Sequence, residues 1–408
     1  MVGNRPMIEE AAKTRPATRR YLAKKDRIVA AATEILNVTG VDGFTLAKVA
    51  ERVGAHPASL GYYWRKDTLI EACILDAAGR IGAMAEAALD EPSPEARLAA
   101  FLGAYFDERR RIWLGEAADL ADFSELRQAG QTAFDGYVAM FRSIARLFRG
   151  APASTDRGAA ARLTIEQIGW SRDRIEADAP ADFRQAAAAM VDFLTEGLAG
   201  EGQSWPAMSL LDLAPPPSDP SLAPRDAFLV AGTRMLNAHG YRGASVDRIS
   251  AQLNRTKGAF YHHHADKDEV IEACFQRTFA ITREAQSRAA ALPSGWERIA
   301  FAAAALAASH NSAAGLMVRS YALAGLPSSL RERMTAGFDE GASRFAGFIA
   351  EGIADGSVRS VDAASAARMI MATVNSSAYL STWAPAVGRD NVIGAYVRPT
   401  LMGLLSSR

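Results

Sequence analysis

Along this chain apolar positions recur at intervals of three and four, not two. Ile28, Ala31, Ala32, Ile35 and Leu36 form one stripe, and Phe228, Ala231, Met235 and Leu236 form another, which is the spacing of amphipathic helices. Gly40 and Gly240 stand where a left-handed C-cap would end each helix. Thr45 and Ser245 follow as N-caps of short second helices. Their buried faces would be Leu46, Val49, Ala50 and Val53 in one, and Val246, Ile249 and Leu253 in the other. Gly54-Ala55-His56 and Asn254-Arg255 interrupt those helices. A third short helix is expected over 57–63 and over 256–263, with Asp67 and Asp268 opening a fourth. A long supporting helix followed by two short helices on a tight turn is the helix-turn-helix layout.

The two stripes belong to a repeat. Residues 27–73 recur at 225–274 with glycines and apolar spacing in register: Gly40 and Gly43 match Gly240 and Gly243, Val49 matches Ile249, Val53 matches Leu253, and Leu60 matches Phe260. After a one-residue slip, Ile70-Glu71-Ala72-Cys73 matches Ile271-Glu272-Ala273-Cys274. Between the copies, residues 200–224 carry Pro215-Pro216-Pro217, Pro220 and Pro224, a composition that resists helix. Extended at ~3.1 Å per residue, such a linker reaches roughly 75 Å and leaves the docking of the halves open. The expected organisation is a flexible basic arm (1–25), a first helix-turn-helix domain (26–73), a helical domain (74–200), the linker (201–224), a second helix-turn-helix domain (225–274) and a second helical domain (275–408).

Composition supports an all-α class, because Ala, Leu, Arg and Glu dominate and runs of Val, Ile or Thr are few. The hydrophobic share of 49% in 408 residues suffices for more than one core. The net charge of zero hides an uneven distribution. Residues 1–67 carry 12 Lys and Arg against 7 Asp and Glu, residues 225–267 carry 7 against 3, and every lysine of the chain lies in these two windows. Two cysteines, Cys73 and Cys274, exclude a disulfide scaffold and fit a reducing cytoplasm, where both read as small core residues. No apolar run is long enough for a bilayer span or a secretory signal. The chain shows no dinucleotide fingerprint, Walker loop, zincin motif or nucleophile elbow, so no catalytic residue and no cofactor is assigned. No metal is assigned either, since His262-His263-His264 point about 100° apart on a helix and cannot converge on one ion.

The chemistry that remains suits double-stranded DNA. A short helix offered to the major groove needs cations, hydroxyls and helix N-termini on either side to hold phosphates. The first copy supplies Thr45, Lys48, His56, Ser59, Tyr62, Tyr63 and Lys66, with Arg65 beside them, and the second supplies Ser245, Arg255, Thr256, Lys257, Tyr261, His262 and Lys267. In this reading the third helix addresses bases, while the capping hydroxyls, the tyrosines and Lys66 or Lys267 anchor phosphates. Arg19, Arg20, Lys24 and Lys25 of the arm are minor-groove candidates.

Thr-Lys-Gly-Ala-Phe-Tyr-His-His-His-Ala-Asp-Lys-Asp-Glu-Val at 256–270 resembles the recognition-helix signature of the TetR family of bacterial regulators. With a second copy about 200 residues earlier, the chain resembles two such units fused in tandem. Gly61 departs from the pattern, standing where a tyrosine is usual, as does His264 where an aromatic is usual. The resemblance implies a cytoplasmic bacterial transcriptional regulator, a repressor released from its operator by a small apolar or amphipathic effector. It further implies that the last two helices of each unit, over 157–176 with 181–199 and over 361–383 with 390–406, pair as a four-helix bundle. The fused units then form an intramolecular pseudo-dimer, with a further homodimer left open. Aromatic effector candidates are Phe106, Trp113, Tyr137, Phe141 and Trp170 in one unit and Tyr321, Phe338, Phe345, Tyr379 and Trp383 in the other. The alternative is a helical ligand-binding or scaffold protein with one or both heads degenerate.

Overall fold

The computed structural model describes residues 19–123, 126, 129–178, 183–208, 223–244, 267–312, 316–323 and 325–406. Every regular element among them is helical, as composition and periodicity predict. The first half holds α1 (Arg19–Gly43), α2 (Leu46–Val53), α3 (Pro57–Tyr63), α4 (Lys66–Ala87), α5 (Pro94–Trp113), α6 (Gln131–Leu147), α7 (Arg157–Asp178) and α8 (Phe183–Glu196). The second holds α9 (Ala223–Gly243), α10 (Lys267–Ala289), α11 (Gly295–His310), α12 (Ser328–Ala354), α13 (Ala363–Ser377), α14 (Leu380–Trp383) and α15 (Arg398–Met402). None of these helices is long and apolar enough to cross a membrane.

The two halves repeat each other closely at their starts. Gly40 and Gly240 both take a positive φ, 64° and 65°, with ψ near 180°. That conformation is open to glycine alone, so each helix kinks there instead of closing on the left-handed cap that the sequence suggests. The next turn is re-formed by Phe44 N–H donating to Gly40 O at 3.1 Å and Ala244 N–H donating to Gly240 O at 3.0 Å. Cys73 and Cys274 lie under the kinked helices, their thiols 3.8 Å from Val29 O and 3.6 Å from Leu229 O. Burial pushes these thiols up to about 11 and about 12, with Thr33 and Thr233 at equivalent places pulling the other way. Further along, Ser93 and Ser294 cap α5 and α11, and Arg97 and Arg298 donate through Nε to Glu91 O and Leu292 O, each at 2.8 Å.

Three boundaries differ from the sequence reading. From Arg19 on the described chain is already helical in α1, so the end of the expected arm is helical, as Arg, Leu, Ala and Lys favour. The fourth helix of the first head starts one residue early, at Lys66 behind the cap residue Arg65, and in the second Lys267 is already helical. The single helix expected over 361–383 stops at Ser377, where the Ser376 and Ser377 hydroxyls donate back to Thr373 O and Val374 O and compete with the backbone ladder. The last helix is likewise irregular. Its turn Ile393–Val397 is π-helical just before Pro399, which has no N–H to return to the carbonyl four residues back.

The halves meet along α7, α8, α13 and α15. Leu198 N–H donates to Leu401 O at 2.8 Å, and Leu404 N–H donates to Leu194 O at 2.9 Å, a reciprocal exchange of the kind two-fold interfaces make. Gly197 and Gly403, both at positive φ, let the backbones touch: a Cβ on Gly197 would lie 2.3 Å from Leu401 O, and one on Gly403 would lie 2.4 Å from Thr195 O. The chain then pairs once more, Ala199 with Val358, before Trp205 stacks edge-on against Trp296 at 5.9 Å between centroids. Tryptophans are exchanged across the seam. Trp383 packs at 4.6 Å from Phe141 and 5.3 Å from Tyr137, and Trp170 reaches the Phe338 ring at 6.2 Å.

Candidate nucleic-acid interface

In the first half the sequence builds an exposed short helix on a rigid base. Thr45 caps α2 by accepting from Lys48 N–H at 3.3 Å, while the Lys48 ammonium, exposed, folds back onto Gly43 O at 2.8 Å. Gly54, at φ 68° and ψ 36°, is the left-handed residue that ends α2 and allows the tight turn. His56 then caps α3 through Nδ1, which accepts from Ala58 N–H at 3.3 Å, and Pro57 occupies the first helical position, where a missing N–H costs nothing. Leu60 is the buried anchor of α3. The rest of that helix faces outward: Ser59 is exposed, and Tyr62 and Tyr63 are 83% and 66% exposed with rings edge to face at 5.0 Å. Arg65 and Thr68 close a reciprocal cap on α4, which fixes Lys66 in its first turn.

Thr45, Lys48, His56, Ser59, Tyr62, Tyr63 and Lys66 thus lie along α2, the turn, α3 and the start of α4. Large aromatic rings standing free in water with hydroxyl tips are suited to packing along a sugar-phosphate backbone. In the second half Ser245, Arg255, Thr256, Lys257, Tyr261 and His262 lie outside the described residues. Lys267 is described, and its ammonium sits 4.0 Å above the Tyr241 ring, whose hydroxyl bonds Asp268.

The ten aromatic effector candidates do not share one pocket. Phe106 and Phe345 are fully buried within separate halves, and Trp113 is 41% exposed at the end of α5. Tyr137, Phe141 and Trp383 converge, Trp170 meets Phe338, and Tyr321 lies 6.2 Å from Tyr379. The cavity beside Phe279, Phe338 and Met371 is about 10 Å³, room for one water at most.

Two residues that the apolar pattern passes over connect each head to the domain behind it. Asn37 donates to Asp119 at 2.7 Å and to Leu120 O at 3.0 Å, and accepts from Asp122 N–H at 3.0 Å. Asn237 donates to Met317 O and accepts from Arg319 N–H, both at 2.9 Å. Both sit on the stripe helices, and their only sequence signal is identical placement 200 residues apart.

Residues 228–274 match the family model for bacterial regulatory proteins of the TetR family. The first copy of the repeat lies outside that match. Over 72 residues the chain is 33% identical to the Transposon Tn10 TetC protein of Escherichia coli, covering 17% of this chain and 36% of that protein. Over 58 residues it is 37% identical to the HTH-type transcriptional repressor AcnR of Corynebacterium jeikeium, covering 14% of this chain and 31% of that one. The chain spans about a third of the length of these relatives. Among solved structures, the TetR family transcriptional regulator PfmR from Thermus thermophilus aligns with a TM-score of 0.36 at 21% identity, over 43% of this chain and 98% of that one. The likeness to TetR-family regulators thus rests on residues 228–274.

Proposed function

We propose that this protein is a cytoplasmic DNA-binding transcriptional regulator in which two TetR-like units, residues 26–200 and 225–408, act as an intramolecular pseudo-dimer on one operator. The observation that carries the reading is the solvent-facing α2-turn-α3 unit of the first half, repeated in sequence by the segment that matches the family. The reciprocal backbone exchange between 194–198 and 401–404 supports the pairing of the units within one chain. Thr45, Lys48, His56, Ser59, Tyr62, Tyr63 and Lys66 would contact DNA from one head, and Ser245, Arg255, Thr256, Lys257, Tyr261, His262 and Lys267 from the other.

Regulation follows by linkage. Two heads grip adjacent half-sites when their third helices are about 34 to 36 Å apart. An effector that binds better to a conformation with another spacing lowers operator affinity and releases the gene. Asn37 and Asn237 would carry that change, since each pins a leading helix to the domain behind it.

The test is a pair of double variants, Lys48→Ala with Tyr62→Ala and Lys257→Ala with Tyr261→Ala, titrated onto the upstream DNA by fluorescence anisotropy. Each should weaken binding at least tenfold with an unchanged circular dichroism spectrum. Unchanged affinity in both would refute the assignment of the heads.

A further inference from the structure

Where the halves meet, charge is buried in unequal amounts. Arg162 on α7 is buried and paired with Glu166, and its Nη1 donates to Tyr137 Oη at 3.4 Å. The Glu166 carboxylate also accepts from Trp170 Nε1 at 3.1 Å and from Asn375 Nδ2 of the second half. A second guanidinium meets the same ring. Arg319 lies 4.3 Å from the centroid of the Tyr379 ring and Arg162 lies 4.6 Å from it, so one ring contacts two cations. Among the described residues, the charged groups acting on that ring are Glu166, Arg319 and Arg162, two positive and one negative. His310 adds no further cation, because burial and Arg319 hold its imidazole neutral.

Both guanidiniums have donor capacity in reserve. Arg162 Nε and Arg319 Nε are buried and without a hydrogen-bond partner, as is His310 Nδ1. Buried polar groups are almost always paired, and Arg319, half-buried with its Nη2 donating to Ala378 O at 3.1 Å, still leaves Nε without a partner. One anion would satisfy both donors and balance the surplus. A planar carboxylate suits it, since it matches the guanidinium fork; a dianion would replace one surplus charge with another. The surrounding walls are Tyr137, Trp170, Tyr321 and Trp383, which call for an apolar body behind the charge.

The group now filling the gap is well placed to leave. Tyr379 lies beyond the end of α13, ahead of the four-residue α14, and the segment that follows exposes Pro385, Ala386 and residues 388–391. Moving it does not unwind α13. Ring-to-cation attraction is the weaker interaction, and charge-assisted hydrogen bonds to a carboxylate are about twice as strong as neutral ones.

We propose that this seam is the effector site, and that it takes an organic monocarboxylate with an apolar body, bound between Arg162 and Arg319 in the place of the Tyr379 ring. The site exists only where both halves contribute. Its output is directed: Arg319 donates its backbone N–H to Asn237 on α9, and Ser320 N–H donates to Asn375 at 3.0 Å, so displacing Arg319 pulls on the second head. This deepens the effector part of the function proposed above and rests on it for its consequence, though not for the binding itself.

The experiment uses the full chain without DNA. Thermal unfolding and tryptophan fluorescence are followed with sodium octanoate, benzoate and phenylacetate, against octanamide, benzamide and phenylacetamide at matched ionic strength. At least one carboxylate should raise Tm saturably while its amide does not. Arg319→Gln should weaken that binding at least tenfold, and Arg162→Gln combined with Glu166→Gln, which removes both members of the pair, should do the same; exposed Arg344→Gln should not. Equal response to acids and amides, no response to any acid, or full binding by Arg319→Gln would each overturn the proposal. A chain that binds octanoate but no DNA would leave the site standing and remove the regulator, and the reverse result would do the opposite.

Discussion

The two halves hold their leading helices by the same residue and differ in what stands behind it. In the first, Asn37 bonds Asp119, and Asp119 is held by Arg109 at 3.0 Å, so the attachment closes within its own half. In the second, Asn237 bonds Met317 and Arg319, and the chain of bonds continues through Ser320 and Asn375 to Glu166 across the seam. The position equivalent to Arg109, counted from the capping serines, is His310, so a salt-bridged cation in one half is a neutral imidazole in the other. One architecture therefore supports two couplings. The first head is tied locally, and the second is tied to its neighbour.

The seam offers the harshest way to break this comparison. Gly197→Val puts a branched side chain at positive φ against Leu401 O, and strain with overpacking should cost about 4 kcal/mol in urea unfolding. Gly54→Ala, with φ 68° but open space around it, should cost only about 1 kcal/mol. Similar losses in the two would mean that the halves are not in backbone contact.

Next in size is the buried pair. Arg162→Gln alone leaves Glu166 without its cation and should cost about 3 kcal/mol, while adding Glu166→Gln should recover most of it. A double variant no more stable than the single would show that the pair is not buried together.

The attachments themselves come third, and each head carries its own reporter. In single-cysteine backgrounds, Asn37→Ala should speed thiol labelling of Cys73 alone and Asn237→Ala that of Cys274 alone, since each thiol lies beneath one kinked helix. The stability costs should be about 2 kcal/mol at Asn37, whose partner is charged, and about 1 kcal/mol at Asn237. Labelling that rises at the opposite cysteine would contradict the wiring.

The gentlest probe is pH. Burial and Arg319 lower His310 to about 3, against 6.5 when unfolded, so the unfolded chain binds the extra proton between these values. Its contribution to stability is complete above pH 6.5 and is lost as pH falls, by about 1 kcal/mol per unit. His310→Asn should flatten that slope in the whole chain, measured by urea unfolding from pH 7 to 5. A slope unchanged by the substitution would mean that another group carries it.

Much of this was legible in the residues. The stripe spacing, Thr45 as a cap, Gly54 as a stop and Pro57 as a first helical residue all act within a few positions of themselves, and local rules read them correctly. The break after Ser377 and the π-turn before Pro399 also have local causes, but they compete with a strong apolar pattern that suggests one long helix. Arg162 and Glu166, four apart on a helix, look in sequence like an ordinary surface pair. Only the docking of the second half buries them, and no local rule contains that. The grouping of the aromatic candidates was hidden for the same reason: Trp383 and Trp170 each reach into the other half, while Phe106 and Phe345 fill their own.

The most direct test of the account is the mass of the complex on DNA, measured by light scattering at saturation on the upstream sequence and repeated across a salt series. Paired halves carrying two usable heads predict one chain per site and affinity that falls steeply with salt. Two chains per site, or no sequence-specific complex at any salt, would contradict it.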